Sequence, residues 1–347
     1  MTALARQRGF SLVELMVALV LGLVLITGVI QIYLSTKAGY NLQTGMARAQ
    51  ENGRYAVDFL TRDLRMTGDP GGCGGNLSAG FTVNVLADDN PNDGAADFVI
   101  DANTVLRGHE EGAGFTPPAG VPFWTDPSDP TDPPEDAVTI IRADASSQQP
   151  LDSDMGRVNF PILVPGGNFA TGDVALIADC EQADVFVVTN TSGTAPLQLS
   201  HAATGNTSAN LSRAYRESDG ATVSRAIERI YYIGQNPDGG PSLYRTGSEG
   251  TFELVPGVER LQLQWGQDTN NDDNVDLFLD ANAVTNWSQI MAAQVDVLTR
   301  TPEGVSPTAA DYAFREDGNV TTTTPPTGDS RLRRWYAGTV ALRNLTP

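Results

Sequence analysis

Lysine is nearly missing from this chain: Lys37 stands alone, and the other basic residues are arginines. Chemistry that needs a lysine is therefore excluded beyond residue 37, whether a phosphate-binding loop lysine, a Schiff base or a Ser–Lys pair. Histidine is almost as scarce. His109 and His201 lie far apart in loop-like sequence, so neither a metal pair nor a catalytic dyad is expected, and both read as solvated loop residues. The two cysteines, Cys73 and Cys180, belong to no CxxC motif, which argues against a zinc site or a redox dithiol. Basic charge is in short supply overall: 22 basic residues face 42 acidic ones, for a net charge of −20. Such a surface repels phosphate backbones, and no nucleic-acid partner is expected. No Ser/His/Asp or paired-carboxylate arrangement rises above the acidic background, so the chain does not read as an enzyme. What remains is 347 residues with 40% apolar content, enough for one or two folded units.

The charge is unevenly placed. Arg6 and Arg8 precede the first apolar run, no acidic residue occurs before Glu14, and the acidic excess lies after residue 68. The run Phe10–Leu34 carries a single charge, Glu14. As a helix it would be about 37 Å long, enough to cross a bilayer with some tilt. Positive charge ahead of it keeps that end in the cytoplasm and turns the acidic bulk to the periplasm. An ordinary secretory signal would be shorter and would end in a small-x-small cleavage site. The nearest such tripeptide, Ala47-Arg48-Ala49, lies well past the run. A carboxylate at membrane depth costs a few kcal/mol without a partner. Cleavage between Gly9 and Phe10 would free an α-amino group four residues before Glu14, one helical turn away. The carboxylate could equally meet the amino terminus of a neighbouring subunit.

Residues 8–15, Arg-Gly-Phe-Ser-Leu-Val-Glu-Leu, resemble the type III signal of type IV prepilins and pseudopilins. The resemblance implies cleavage after Gly9 by a prepilin peptidase, N-methylation of Phe10, and a subunit-assembly role for the Glu14 charge. Further segments are similar to the PilW family of minor pilins: Gly72-Cys73-Gly74-Gly75, Ala178–Val185-Phe186, Tyr231-Tyr232-Ile233, Pro241–Arg245, Gly257–Leu261, Arg331–Arg334 and Val340–Asn344. Membership would imply assembly or priming of a type IV pilus at or near its tip. The partners would be other minor pilins and pilus subunits, the prepilin peptidase and the inner-membrane assembly platform.

The fold class that follows is α+β: a long N-terminal transmembrane and amphipathic helix packed on a β-rich antiparallel head. Residues 1–9 read as a cytoplasmic leader, 10–34 as the transmembrane helix, 35–68 as its periplasmic extension and 69–347 as the head, divided into two lobes near 201–222. Leu42, Met46, Ala49, Gly53, Val57, Leu60 and Leu64 recur every three or four residues and predict one buried helix face. Gly68, Asp69 and Pro70 end it. Predicted strands are Phe81–Leu86, Asp97–Ile100, Ala137–Arg142, Val158–Val164, Asp173–Ala178, Asp184–Thr189, Ala226–Ile233, Phe252–Val255, Leu261–Trp265, Ala293–Leu298 and Tyr336–Leu342. Residues 88–96, 112–136, 146–156 and 319–330 read as loops.

Two readings of Asp268, Asn270, Asp272, Asn274 and Asp276 stay open. Alternating oxygen side chains resemble the first half of a calcium loop, which would make calcium the one cofactor. Against it, Asp273 occupies the position that wants glycine, and Leu279 the position of a closing glutamate. The other reading is an Asx-rich turn joining two strands. In an oxidising compartment Cys73 and Cys180 would form one disulfide, closing a loop of about 100 residues and worth roughly 4–5 kcal/mol; two buried thiols are the alternative. The expected protein sits in the inner membrane with a periplasmic head and moves to the pilus tip and cell surface on assembly. Its rivals are a type II secretion pseudopilin and a calcium-dependent tip adhesin or binding module.

Overall fold

The computed structural model describes residues 11–72, 81–87, 104–127, 133–306 and 309–345. One uninterrupted helix, α1 (Leu12–Arg65), is 54 residues long. Ser11 caps it: its hydroxyl accepts from the Glu14 N–H at 3.2 Å, and the Glu14 carboxylate accepts from the Ser11 N–H at 3.5 Å. This reciprocal pair satisfies two of the amide donors that a helix start leaves bare. At the other end Gly68, with φ at 72°, turns the chain into Asp69 and Pro70, a conformation that side chains with a Cβ resist.

The head is built from β1 (Thr82–Val85), β2 (Leu106–His109), β3 (Ala137–Ala143), β4 (Gln149–Pro150), β5 (Ile162–Val164), β6 (Val174–Ala178), β7 (Gln182–Val187), β8 (Asn190–Ser192), β9 (Leu197–Ser200), β10 (Thr222–Gln235), β11 (Pro241–Gly247), β12 (Phe252–Pro256), β13 (Val258–Gln267), β14 (Leu277–Leu279), β15 (Ile290–Arg300), β16 (Tyr312–Glu316), β17 (Asn319–Thr323) and β18 (Arg333–Ala341). Among the described residues, β1 to β4, β6, β7 and β10 to β12 make one large sheet. A second runs β14-β13-β15-β18, a third β5-β9-β8, and β16 and β17 form a hairpin. Pairing is antiparallel except between β1 and β7. The chain is thus α+β, a long helix on a β-rich antiparallel head.

The helix lies on the second sheet because both alternate apolar residues with the right period. In β13, Leu261, Leu263 and Trp265 point to one face and stand opposite Val297, Val295 and Ala293 of β15. These residues share a core with Ala56, Leu60 and Leu64 of α1 and Val340 of β18. Each fully buried aliphatic side chain contributes about 1.5–3 kcal/mol. The predicted helix face holds at Ala49, Gly53, Leu60 and Leu64, all buried, whereas Met46 is exposed. Gly45, Ala56 and Asp63 complete the buried stripe.

A second apolar cluster is drawn from Leu151 to Val223 and includes Ile162, Phe186, Leu199 and Tyr215. Residues 201–222, where the division between lobes was expected, contribute Leu211, Tyr215 and Ala221 to it. The segment expected as a loop at 319–330 opens with strand β17, Asn-Val-Thr-Thr-Thr. Its β-branched threonines favour extended backbone, but its first four residues are exposed, so no alternation marks it. The predicted strand Asp97–Ile100 lies outside the described residues.

Candidate functional site

Gly9 and Phe10 lie outside the described residues. Glu14 is in the first turn of α1 and caps it as described above. Beyond it, no residue of an apolar window long enough to cross a membrane is buried inside the protein. Leu12 is 76% exposed, Leu25 71% and Ile32 70%. A soluble protein would bury such a surface, so this half of the helix requires lipid or neighbouring chains as its solvent.

The second half of α1 and the turn just after it are fastened to the head by contacts at residues too small or too polar for a simple apolar face. Thr299 Oγ1 donates to the Ala49 carbonyl at 3.1 Å, and Asn52 Nδ2 donates to the Pro256 carbonyl at 2.8 Å. Gly53 admits the Tyr336 ring: a Cβ there would fall 2.2 Å from two ring carbons. Asn344 Nδ2 reaches the Thr67 carbonyl at 3.1 Å.

Asp63 is the centre of this joint. Its carboxylate, on a residue 5% exposed, accepts from Arg142 Nη2 at 3.2 Å, from Arg229 Nη1 at 2.8 Å and from the Tyr231 hydroxyl. Burial works against its charge, but the hydrogen bonds from Tyr231 and Arg229 and the two guanidinium charges outweigh it and hold the carboxyl below its ordinary value. The same surroundings push the Tyr231 phenol up: burial first, then the Asp63 charge. Sequence reasoning missed Asp63. The available signal was an acidic residue three after Leu60, inside the apolar stripe.

A second buried ionic group ties β13, β15 and β18 together. Glu259 accepts from Arg300 Nη1 at 3.1 Å and from Arg333 Nη2 at 2.9 Å, and Arg333 also meets Asp329 at 2.8 Å. Arg260 pairs with Glu135 at 3.0 Å.

The segment Asp268–Asp276 is the turn between β13 and β14. One Asp268 carboxylate oxygen accepts from the N–H groups of Asn270 and Asn271 at 3.1 and 2.7 Å, and the other accepts from Asp273 at 2.9 Å. Asp272 accepts from the Asn274 N–H at 3.0 Å, and Asp276 from the Thr269 N–H at 2.8 Å. The hydrogen bonds of Thr269 to the Asp276 carboxylate hold its pKa down. The carboxylates are turned to the loop's own amides, and Asn270 donates its amide to Asp272 and Asp276.

The histidines correct the sequence reading. Both are buried: His109 Nδ1 and Nε2 bond the Ala113 carbonyl and Thr139 Oγ1, each at 2.9 Å, and His201 Nε2 bonds the Phe160 carbonyl at 2.9 Å. Desolvation lowers the His109 pKa. Cys73 lies outside the described residues. Cys180 is exposed in the tight link between β6 and β7. Gly72, next in sequence to Cys73, packs on that same link: a Cβ there would be 3.1 Å from the Ala178 carbonyl and 3.2 Å from that of Asp179.

A bare apolar span that opens on a capping glutamate and runs unbroken into a β-rich head is the build of a prepilin-type protein, and the prokaryotic N-terminal methylation motif matches residues 4–30. The type IV pilus-assembly protein W family matches residues 230–344, the second half of β10 through β18. Over residues 4–30 and 230–344 the chain is thus similar to PilW-like proteins of prepilin type. The matched stretch holds Glu259, Arg300 and Arg333; the similar segments at 72–75 and 178–186 fall outside both matches. No curated protein and no solved structure matches the chain.

Proposed function

We propose that this minor pilin helps to assemble and prime the type IV pilus, at or near its tip, together with other minor pilins. The observation that carries this reading is the division of labour along α1. Its first half is an apolar surface bare of protein, and its second half is fixed to a rigid head. A subunit so built associates through the membrane-embedded half and presents its head. In this reading the chain is cut after Gly9, methylated on Phe10, held in the inner membrane by residues 10–34, and exposes its head to the periplasm. The Ser11 cap already engages Glu14 in the first turn; a freed Phe10 amine would add a cation within the same turn, in this chain or from a neighbour.

Glu14→Ala should leave cleavage largely intact and weaken assembly into filaments, read as loss of the chain from sheared pili. Normal incorporation would remove the pairing argument. Mass spectrometry of the native protein should find methylated Phe10 as the first residue; a chain still starting at Met1 would overturn the pilin reading. The same spectra without reductant test a Cys73–Cys180 disulfide, which the seating of Gly72 on the Cys180 link supports. An absence of the cross-linked peptide would sink it.

We read Asp268–Asp276 as an Asx turn that holds itself without calcium, because its carboxylates are taken by backbone amides. Adding calcium to the detergent-solubilised protein should leave its unfolding midpoint unchanged. A rise that chelator reverses would restore calcium as a ligand.

A further inference from the structure

The turn after β13 sits at one particular end of the molecule. Thr299, at one end of the β15 ladder, touches Ala49 of α1, whereas Ile290, at the other end, pairs with Gln267. Beside it the Leu342 N–H donates to the Met291 carbonyl, and Asn344 bonds Thr67, just past the end of the helix. The β13–β14 turn therefore lies toward the C-terminal end of α1, away from its bare half.

At this end β14 is an edge strand, with β13 on its only paired side among the described residues. Residues 269–278 are all exposed, and three of them are large and apolar: Val275 at 36%, Leu277 at 38% and Phe278 at 39%. Val275 and Phe278 lean on Gly266, where a Cβ would come within 3.0 and 3.1 Å of them, so the patch has a firm floor. Carboxylates flank it on both sides. Asp272, Asp273 and Asp276 lie in the turn before it. After it, Asp280, Glu110 and Asp317 bring carboxylate oxygens within 4.8 Å of one another. Burial, and then the Asp280 charge, raise the pKa of both Glu110 and Asp317, as expected of negative charge that is crowded.

An unpaired edge accepts an added strand through its main-chain groups, and the side chains beside it select which strand. We infer that β14 is a docking edge for an extended segment of a different polypeptide, one that is apolar at its centre and basic at both ends. The apolar residues would cover Leu277 and Phe278, and the basic ones would meet the two flanking carboxylate groups. A second copy of this chain fits poorly, since its own net charge is −20. The inference rests on the minor-pilin reading only for which way this end faces: away from the membrane, toward whatever stands above the subunit.

The test uses the full chain in detergent and a synthetic peptide with a valine core between arginine ends. It should bind, and a peptide with the same valine core between glutamate ends should not. The double variant Leu277→Asn/Phe278→Asn should weaken binding at least about tenfold, while Phe160→Asn, at another exposed apolar residue between β4 and β5, leaves it unchanged. The double variant keeps every carboxylate, so peptide binding that survives it is mere charge attraction and overturns the proposal; so does equal binding of the glutamate peptide. An unaltered unfolding midpoint shows that the variant is folded. Sheared pili probed for the chain report separately on the minor-pilin reading: absence there sinks that reading, and with it the outward orientation, whereas the peptide result alone decides whether the edge docks a strand.

Discussion

Asp63→Ala is expected to lower the unfolding midpoint of the full chain in detergent by roughly 6–20 °C. The variant leaves Arg142 and Arg229 inside the helix–head joint without their common carboxylate, with side chains only 10% and 13% exposed. Removing one partner of a buried ion pair costs about 3–5 kcal/mol, because the remaining charge cannot regain water; in a domain of this size each kcal/mol moves the midpoint by about 2–4 °C. Glu249, 2.6 Å from Arg229 Nε, offsets part of the loss, whereas among the described residues Arg142 keeps only its bond to the Ala143 carbonyl. The effect should depend on pH with a defined sign. The folded Asp63 carboxyl lies below its ordinary unfolded value, so its stabilisation is fully present above that unfolded value and is lost as pH falls through the folded one. The gap between parent and variant should accordingly close in acid. A midpoint unmoved near neutral pH would show that the network is dispensable.

The second large effect is expected at Gly53. Alanine in a helix interior is normally worth about 1 kcal/mol more than glycine. At Gly39, where a Cβ would meet nothing within 4 Å, that gain should appear as a stabilised protein. At Gly53 the same methyl would fall 2.2 Å from Cδ2 and Cε2 of Tyr336 and 2.8 Å from Cγ. These atoms belong to the ring itself, so a small rotation of a chain end cannot relieve the clash; helix or strand must move. Overpacking of this kind costs about 1–3 kcal/mol and exceeds the propensity gain. Gly53→Ala should therefore destabilise while Gly39→Ala stabilises. Combining Gly53→Ala with Tyr336→Ala should cost less than the sum of the two, since they share one contact. Equal and additive behaviour at the two glycines would mean that the helix does not approach β18 this closely.

What could be read in the sequence was decided by nearby residues. The apolar run with its one glutamate is a bilayer-length pattern, and it reappears as the bare half of α1. Strands such as Ala137–Ala143 and Val174–Ala178 are runs of β-branched and aliphatic residues between turn signals. The link between β13 and β14 was readable because Asp268 satisfies amides two to five residues away. The joint was not. Asp63 finds Arg142 79 residues on, and Arg229 and Tyr231 more than twice as far, and no local spacing marks such pairings. His109 and His201 were misread for the same reason: their flanking residues suggest loops, but burial is conferred by segments distant in sequence.

The attachments of α1 to its head, from Ala49 to Asp63, are spread over about 21 Å of helix. A pull on the head directed along that axis would load them all at once, in shear, instead of opening them one after another like a zipper. If the chain is a filament subunit as proposed, this fastening resists its being stripped from its own stem under tension, and the weak link moves to the contacts between neighbouring stems.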